Sequence, residues 1–224
     1  MSTLTFTTAR ASADPAKTKT RCAIVAVFGN ELSATAEALD SAGTLRAALK
    51  LGDFKGKPGE THMLPGIGNA ERVMLLGCGE RAQFNPAVAR DAVQGLSTAL
   101  NACSTTEALL HAADMLGDNV EGAWLLELVA RTITVGSYRY TRTLSKPKDP
   151  LALKKLAVNP GKGLSSQKAQ TALDQGAALG RGINYTRELG NLPGNICTPT
   201  YLASEARKLS RGNSKVRTQV LEEK

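Results

Sequence analysis

Two runs in this sequence, RCAIVAVFG (21–29) and RVMLLG (72–77), are apolar at successive positions rather than at alternate ones. A strand with one face in water alternates apolar and polar residues, whereas a strand covered on both faces has no such need. Two strands of this kind demand layers on both sides of one sheet. The segments between and after them supply those layers. Ser33 predicts a helix cap, with the helix running to about Leu51 and breaking or bending near Gly43. Asn85-Pro86 predicts a second helix start, Asn as cap and Pro in the first turn, with the helix running to about Ala102. A third helix is predicted from Asp118 or Asn119 to about Gly136. TLTFTT (3–8), THMLPG (61–66), EALLHAA (107–113) and LALKKLAV (151–158) read as further strands. Strands alternating with helices predict an α/β fold: three layers, α/β/α, around a mixed, largely parallel sheet.

The last third has a different grain. A helix is predicted over Ser165–Leu189, with Ala169, Ala172, Leu173, Gly176, Ala177, Gly180 and Ile183 on one side, a small-residue face that lets another helix approach closely. Gly190 predicts its end, and a turn follows through Asn191-Leu192-Pro193-Gly194-Asn195. Thr198 and Pro199 predict the start of another helix to about Leu209, and SKVRTQVLE (214–222) reads as a strand. A strand, a helix and a capped turn cannot bury both faces alone, so the small-residue face and the 215–221 strand are expected to lack their partners.

Candidate chemistry is sparse. The four cysteines, Cys22, Cys78, Cys103 and Cys197, have no CxxC spacing and read as reduced thiols, Cys22 and Cys78 being small core residues. His62 and His111 read as strand residues, each with one satisfied hydrogen bond. No ligand pair has a zinc-like spacing. Gly77-Cys78-Gly79-Glu80-Arg81-Ala82 fits GxGxxA, but the helix start comes several residues later, at Asn85-Pro86, so it reads as a glycine turn rather than a dinucleotide loop. NPGKG (159–163) lacks P-loop spacing. No apolar run can span a bilayer, and the amino-terminal residues lack the pattern of a secretory signal.

Charge is placed unevenly within a net of +8. Residues 1–150 hold 16 Lys or Arg against 15 Asp or Glu, and residues 151–224 hold 12 against 5, a balance of +7. At the junction stand Arg139, Arg142, Lys146, Lys148, Lys154 and Lys155, a candidate polyanion-binding group. The alternative is an acidic protein surface outside these residues.

The stretch NYTRELGNLPGNICTPTYLASEARKL (184–209) resembles the segment that opens the catalytic domain of leucyl (cytosol) aminopeptidases. The matching elements are Arg187-Glu188-Leu189, Asn191-Leu192-Pro193-Gly194-Asn195 and Thr198-Pro199 followed by Leu202-Ala203. GSYRYTRTLSKPK (136–148) is similar to the family's Gly-x-Tyr-Arg-Phe segment. The resemblance implies a macro-domain-like amino-terminal domain over 1–160. Over 161–224 it implies a linker helix and the first elements of a truncated catalytic domain. For the intact family it implies a cytoplasmic homohexamer that hydrolyses peptides with a free N-terminus, using two divalent metal ions, manganese or zinc. The downstream metal-binding and catalytic motifs match nothing here, so no catalytic, metal-binding or cofactor-binding residue is carried over and the chain alone is expected to be inactive. DNA is a possible partner through the basic group; a membrane is not.

Overall fold

The computed structural model describes residues 4–10, 14–117 and 119–221. Seven strands form one sheet among them: β1 (Thr5–Thr8), β2 (Ala23–Phe28), β3 (Glu31–Leu32), β4 (Thr61–Pro65), β5 (Arg72–Gly77), β6 (Glu107–His111) and β7 (Lys155–Asn159). Their order is β1-β7-β6-β2-β5-β4, with β3 paired to β2 beside that path. All neighbours are parallel except β4 against β5 and β3 against β2. The sheet is therefore mixed and largely parallel.

The unbroken apolar runs have a direct cause. In β2, Ile24, Ala26 and Phe28 enter one core while Ala23, Val25 and Val27 enter another; in β5, Met74 and Leu76 separate from Val73 and Leu75 in the same way. The larger core is closed by α3 (Pro86–Ala102), α4 (Gly122–Gly136) and the first half of α5 (Ser166–Asn191). The smaller one is closed by α1 (Ala34–Leu39) and α2 (Thr44–Leu51) with Phe54. The break near Gly43 is real: Gly43 has φ 74°, and the buried Asp40 carboxylate accepts the Leu45 and Arg46 N–H groups at 2.7 and 3.1 Å, capping α2. The outer edge of β1 is closed by a side chain. Gln170 Nε2 donates to Phe6 O and Gln170 Oε1 accepts the Thr8 N–H, so this edge offers less template for another strand.

Several expectations require correction. α5 does not stop at Gly190 but runs to Asn191, and Gly190 has no positive φ. Pro193 ends it instead, because proline disfavours helical backbone at the residue before it, here Leu192. α4 begins at Gly122 with Glu121 at the cap position, later than Asn119; Asp118 lies outside the described residues. The strand at 151–158 is shorter, starting only at Lys155. Residues 214–221 form no strand: Asn213 Oδ1 accepts the Lys215 N–H, Val216 N–H donates to Asn213 O, and the Thr218 hydroxyl bonds to Ala206 O. Local hydrogen bonds to the preceding helix and its cap residue replace a ladder; Glu222 lies outside the described residues.

The small-residue face of α5 has its partner within this chain. Ala169, Ala172, Leu173 and Ala177 are buried in the larger core, and a Cβ on Gly176 would stand 2.2 Å from Glu127 O on α4. Only Ile183, 42% exposed, falls off that face. The chain divides into two units: Met1–Arg139 with Asp149–Gly182, and Tyr140–Lys148 with Ile183–Lys224.

Candidate functional site

In an open α/β sheet, ligands are held at the carboxyl ends of the strands where the order reverses, by amides of the following loops and helices. Here that place is the end of β2, between β5 and β6. Several amides in the surrounding loops are engaged by the chain's own side chains. Asp114, in the turn after β6, accepts the Thr35 N–H at 3.2 Å; Ser33 Oγ accepts the Ala36 N–H. Glu60 Oε2 accepts the N–H groups of Lys55 and Lys57, and Asn85 Oδ1 those of Ala87 and Val88. Gly77, Cys78 and Gly79 donate their own N–H groups to Glu60 O, Val27 O and Gly56 O, and a short 3-10 turn at Arg81–Gln83 follows, so the long helix α3 starts only at Pro86, beyond these glycines. Gly79 takes φ 69° with its N–H on Gly56 O, and Arg81 stacks its guanidinium 3.8 Å over the Phe28 ring. Cys78 is fully buried, and burial pushes its thiol up to about 12; Cys22 is raised to about 12 by the same cause. Both are core residues rather than nucleophiles. Sequence reasoning missed Asp114, Asp40 and Glu60, since nothing local distinguishes an acid that caps a distant helix from one on the surface.

His62, in β4, is half-buried with its ring near Phe54. His111 differs from expectation. It is 2% exposed, and neither ring nitrogen has a hydrogen-bond partner among the described residues. Desolvation holds its basicity below the ordinary imidazole range, opposed by the nearby Asp114 charge.

The second unit carries the Asn-Pro-Gly turn. Ile196 and Cys197 donate their N–H groups to Pro193 O, and Thr198 Oγ1 accepts the Tyr201 N–H to cap α6 (Pro199–Gly212). Tyr185, on the last turns of α5, donates its hydroxyl to Glu205 Oε2 at 2.8 Å; Lys208 holds the other carboxylate oxygen. The Lys208 hydrogen bond, then that of Tyr185, keeps the Glu205 carboxyl below its usual range, while desolvation and the Glu205 hydrogen bond raise the Tyr185 phenol to about 12. Arg142 donates to the Tyr201 hydroxyl at 2.9 Å, tying the 140–148 segment to α6.

The six candidate cations fall in two sets. In the first unit, Arg139 turns its guanidinium onto Gly136 O and Tyr138 O, and Lys154 and Lys155 lie exposed at the start of β7. In the second, Arg142 is engaged by Tyr201, and Lys146 and Lys148 are exposed. No group of three His, Cys, Asp or Glu suited to a metal ion occurs among the described residues. Their donor set does not fit a two-metal centre. No helix among them is long and apolar enough to cross a membrane.

With this geometry, the chain can be set beside known proteins. It is 37% identical over 221 residues to a probable cytosol aminopeptidase of Nitrosococcus oceani, covering 95% of this chain and 44% of that protein. A relative of the same description from Alkalilimnicola ehrlichii is 38% identical over 209 residues, covering 91% and 42%. The chain thus spans less than half the length of these curated relatives. Among solved structures, a tomato leucine aminopeptidase mutant aligns with a TM-score of 0.74 at 23% identity, over 93% of this chain and 42% of that one. The bottromycin maturation enzyme BotP aligns at 0.64 and 21% identity, over 86% and 37%. These two likenesses establish the fold. The sequence description of the cytosol aminopeptidase family's N-terminal domain matches residues 24–147, more than half of the chain. The chain belongs to the cytosol aminopeptidase family and carries its N-terminal domain.

Proposed function

We propose that this chain is the non-catalytic, amino-terminal portion of a leucyl aminopeptidase: residues 1–160 form the domain proper, and 161–224 the linker helix and first elements of the catalytic domain. In that reading the intact protein is a cytoplasmic homohexamer. It removes N-terminal residues from peptides with two divalent ions, manganese or zinc, held by side chains outside these residues. The observation that carries it is α6: a well-capped helix with Leu202 and Leu209 exposed at 45% and 52%. Those two positions lie seven residues apart on one helical stripe and suit burial against a further layer. Unburied, α6 is held by few apolar contacts and opens locally. Its amides are expected to exchange with deuterium about 100-fold faster than those of β5, relative to intrinsic rates. Equal protection of α6 and β5 in a monomeric sample overturns this reading.

The six cations Arg139, Arg142, Lys146, Lys148, Lys154 and Lys155 serve, on this reading, an adjoining acidic surface rather than nucleic acid. The second reading, a DNA-binding module, is favoured by one observation: every residue from Thr141 to Pro150 is exposed, Lys146 and Lys148 included. A salt titration separates them. Replacing Lys146 and Lys148 by Ala is expected to leave the salt slope of duplex binding unchanged. A fall of about two units assigns both lysines to phosphates, at roughly 0.9 per contact.

A further inference from the structure

We propose that His111 and Asp114 form a proton-driven latch on α1: when His111 takes up a proton, the Asp114 carboxylate leaves the Thr35 amide for the imidazolium, and the start of α1 is released. The structure shows the latched, neutral state. In the neutral state Asp114 Oδ2 accepts the Thr35 N–H at 3.2 Å, joining the turn after β6 to the first residues of α1. The His111 ring lies three residues away, 2% exposed, with both nitrogens unpartnered among the described residues. A neutral imidazole tolerates such a site at some cost. An imidazolium, a donor at both nitrogens, does not unless an anion comes to it.

Among the described residues, Asp114 is the anion placed to do so. β2 (Ala23–Phe28) carries no ionisable side chain. β7 faces His111 with Asn159, its register partner, which is neutral, while Lys155 is exposed at the other end of that strand. Glu37 on α1 is exposed and paired with Arg46 at 3.1 Å. Beyond Asp114 stand the buried Cys78 thiol and the exposed Arg81. Burial lowers the proton affinity of the ring, so release belongs below the ordinary imidazole value of 6.5. α1 has six residues, and its first amides depend on Asp114 and Ser33. Losing one partner therefore loosens a large fraction of the helix.

Amide hydrogen exchange on the whole chain tests this, with rates corrected for the intrinsic pH dependence and Met74 in β5 as the global reference. Between pH 7.5 and pH 5 the protection of Thr35 is expected to fall about tenfold, the equivalent of losing one hydrogen bond of ordinary strength, while that of Met74 holds. In His111→Leu there is no proton to take up, and Thr35 protection stays constant. In Asp114→Asn the side-chain oxygen still accepts from Thr35 but offers no charge to the ring, and protection again stays constant. The two variants perturb different sites, so the misfolding of one leaves the other decisive. The proposal is overturned if Thr35 and Met74 lose protection in step, if Thr35 shows no loss in the wild-type chain, or if the loss persists in either variant.

Discussion

Replacing Gly176 with Val is expected to destabilise the chain by about 3 kcal/mol, the upper part of the range for overpacking a closed interior. At this chain length that lowers the melting temperature by about 9 °C. Gly176 stands where α5 crosses α4. A Cβ there would lie 2.2 Å from the Glu127 carbonyl oxygen and 2.9 Å from its carbon. Those are backbone atoms inside a helix and cannot swing aside as a side chain would. One turn on, a Cβ at Gly180 would meet Thr134 Cβ at 2.6 Å, so the helix cannot relieve the clash by sliding along its own axis. Gly182 is the control. It lies in the same helix with open space where its Cβ would be, so Gly182→Ala is expected to stabilise by about 0.7 kcal/mol through helix propensity alone. Urea denaturation of the three proteins reads both signs. If Gly176→Val left the midpoint unchanged, the packing of α5 on α4 described above would be wrong.

That interface shows what could be read from the sequence. The face Ala169, Ala172, Leu173, Gly176, Ala177, Gly180 follows from helical spacing, and its need for a close neighbour follows from the small side chains. The identity of the neighbour does not follow, because α4 is some fifty residues earlier and nothing local points to it. The helix starts were legible for the opposite reason: Ser33, Asn85 and Thr198 each act within three residues of themselves, accepting from Ala36, from Ala87 and Val88, and from Tyr201. Gly190 misled because a glycine near the end of an amphipathic pattern resembles a terminal cap, while the stronger constraint, Pro193, lay three residues on. The 214–221 stretch has strand-like residues, but a strand also needs an edge to pair with, and Thr218 bonds instead to Ala206 O and the Ser210 hydroxyl on α6.

The candidate site divides along the same line. The glycines after β5 were visible. The long-range caps beside them were not, since the Thr35 to Asp114 bond spans 79 residues. His111 could not be recognised as unpartnered from a sequence that showed only an apolar strand end. The family segments at 136–148 and 184–209 were legible because they are runs of specific residue types in fixed order, independent of the fold around them.

On the proposed reading, this chain carries the family's amino-terminal domain while the hydrolytic chemistry belongs to residues outside it. Hydrolysis of leucine p-nitroanilide by the purified chain, with manganese or zinc supplied, tests it most directly. No metal-dependent turnover above the buffer blank is expected, because no described side chains converge as metal ligands and two-metal hydrolysis has no other source of its activated water. Turnover that depends on added metal, and that persists after contaminating host aminopeptidase is removed, would contradict it.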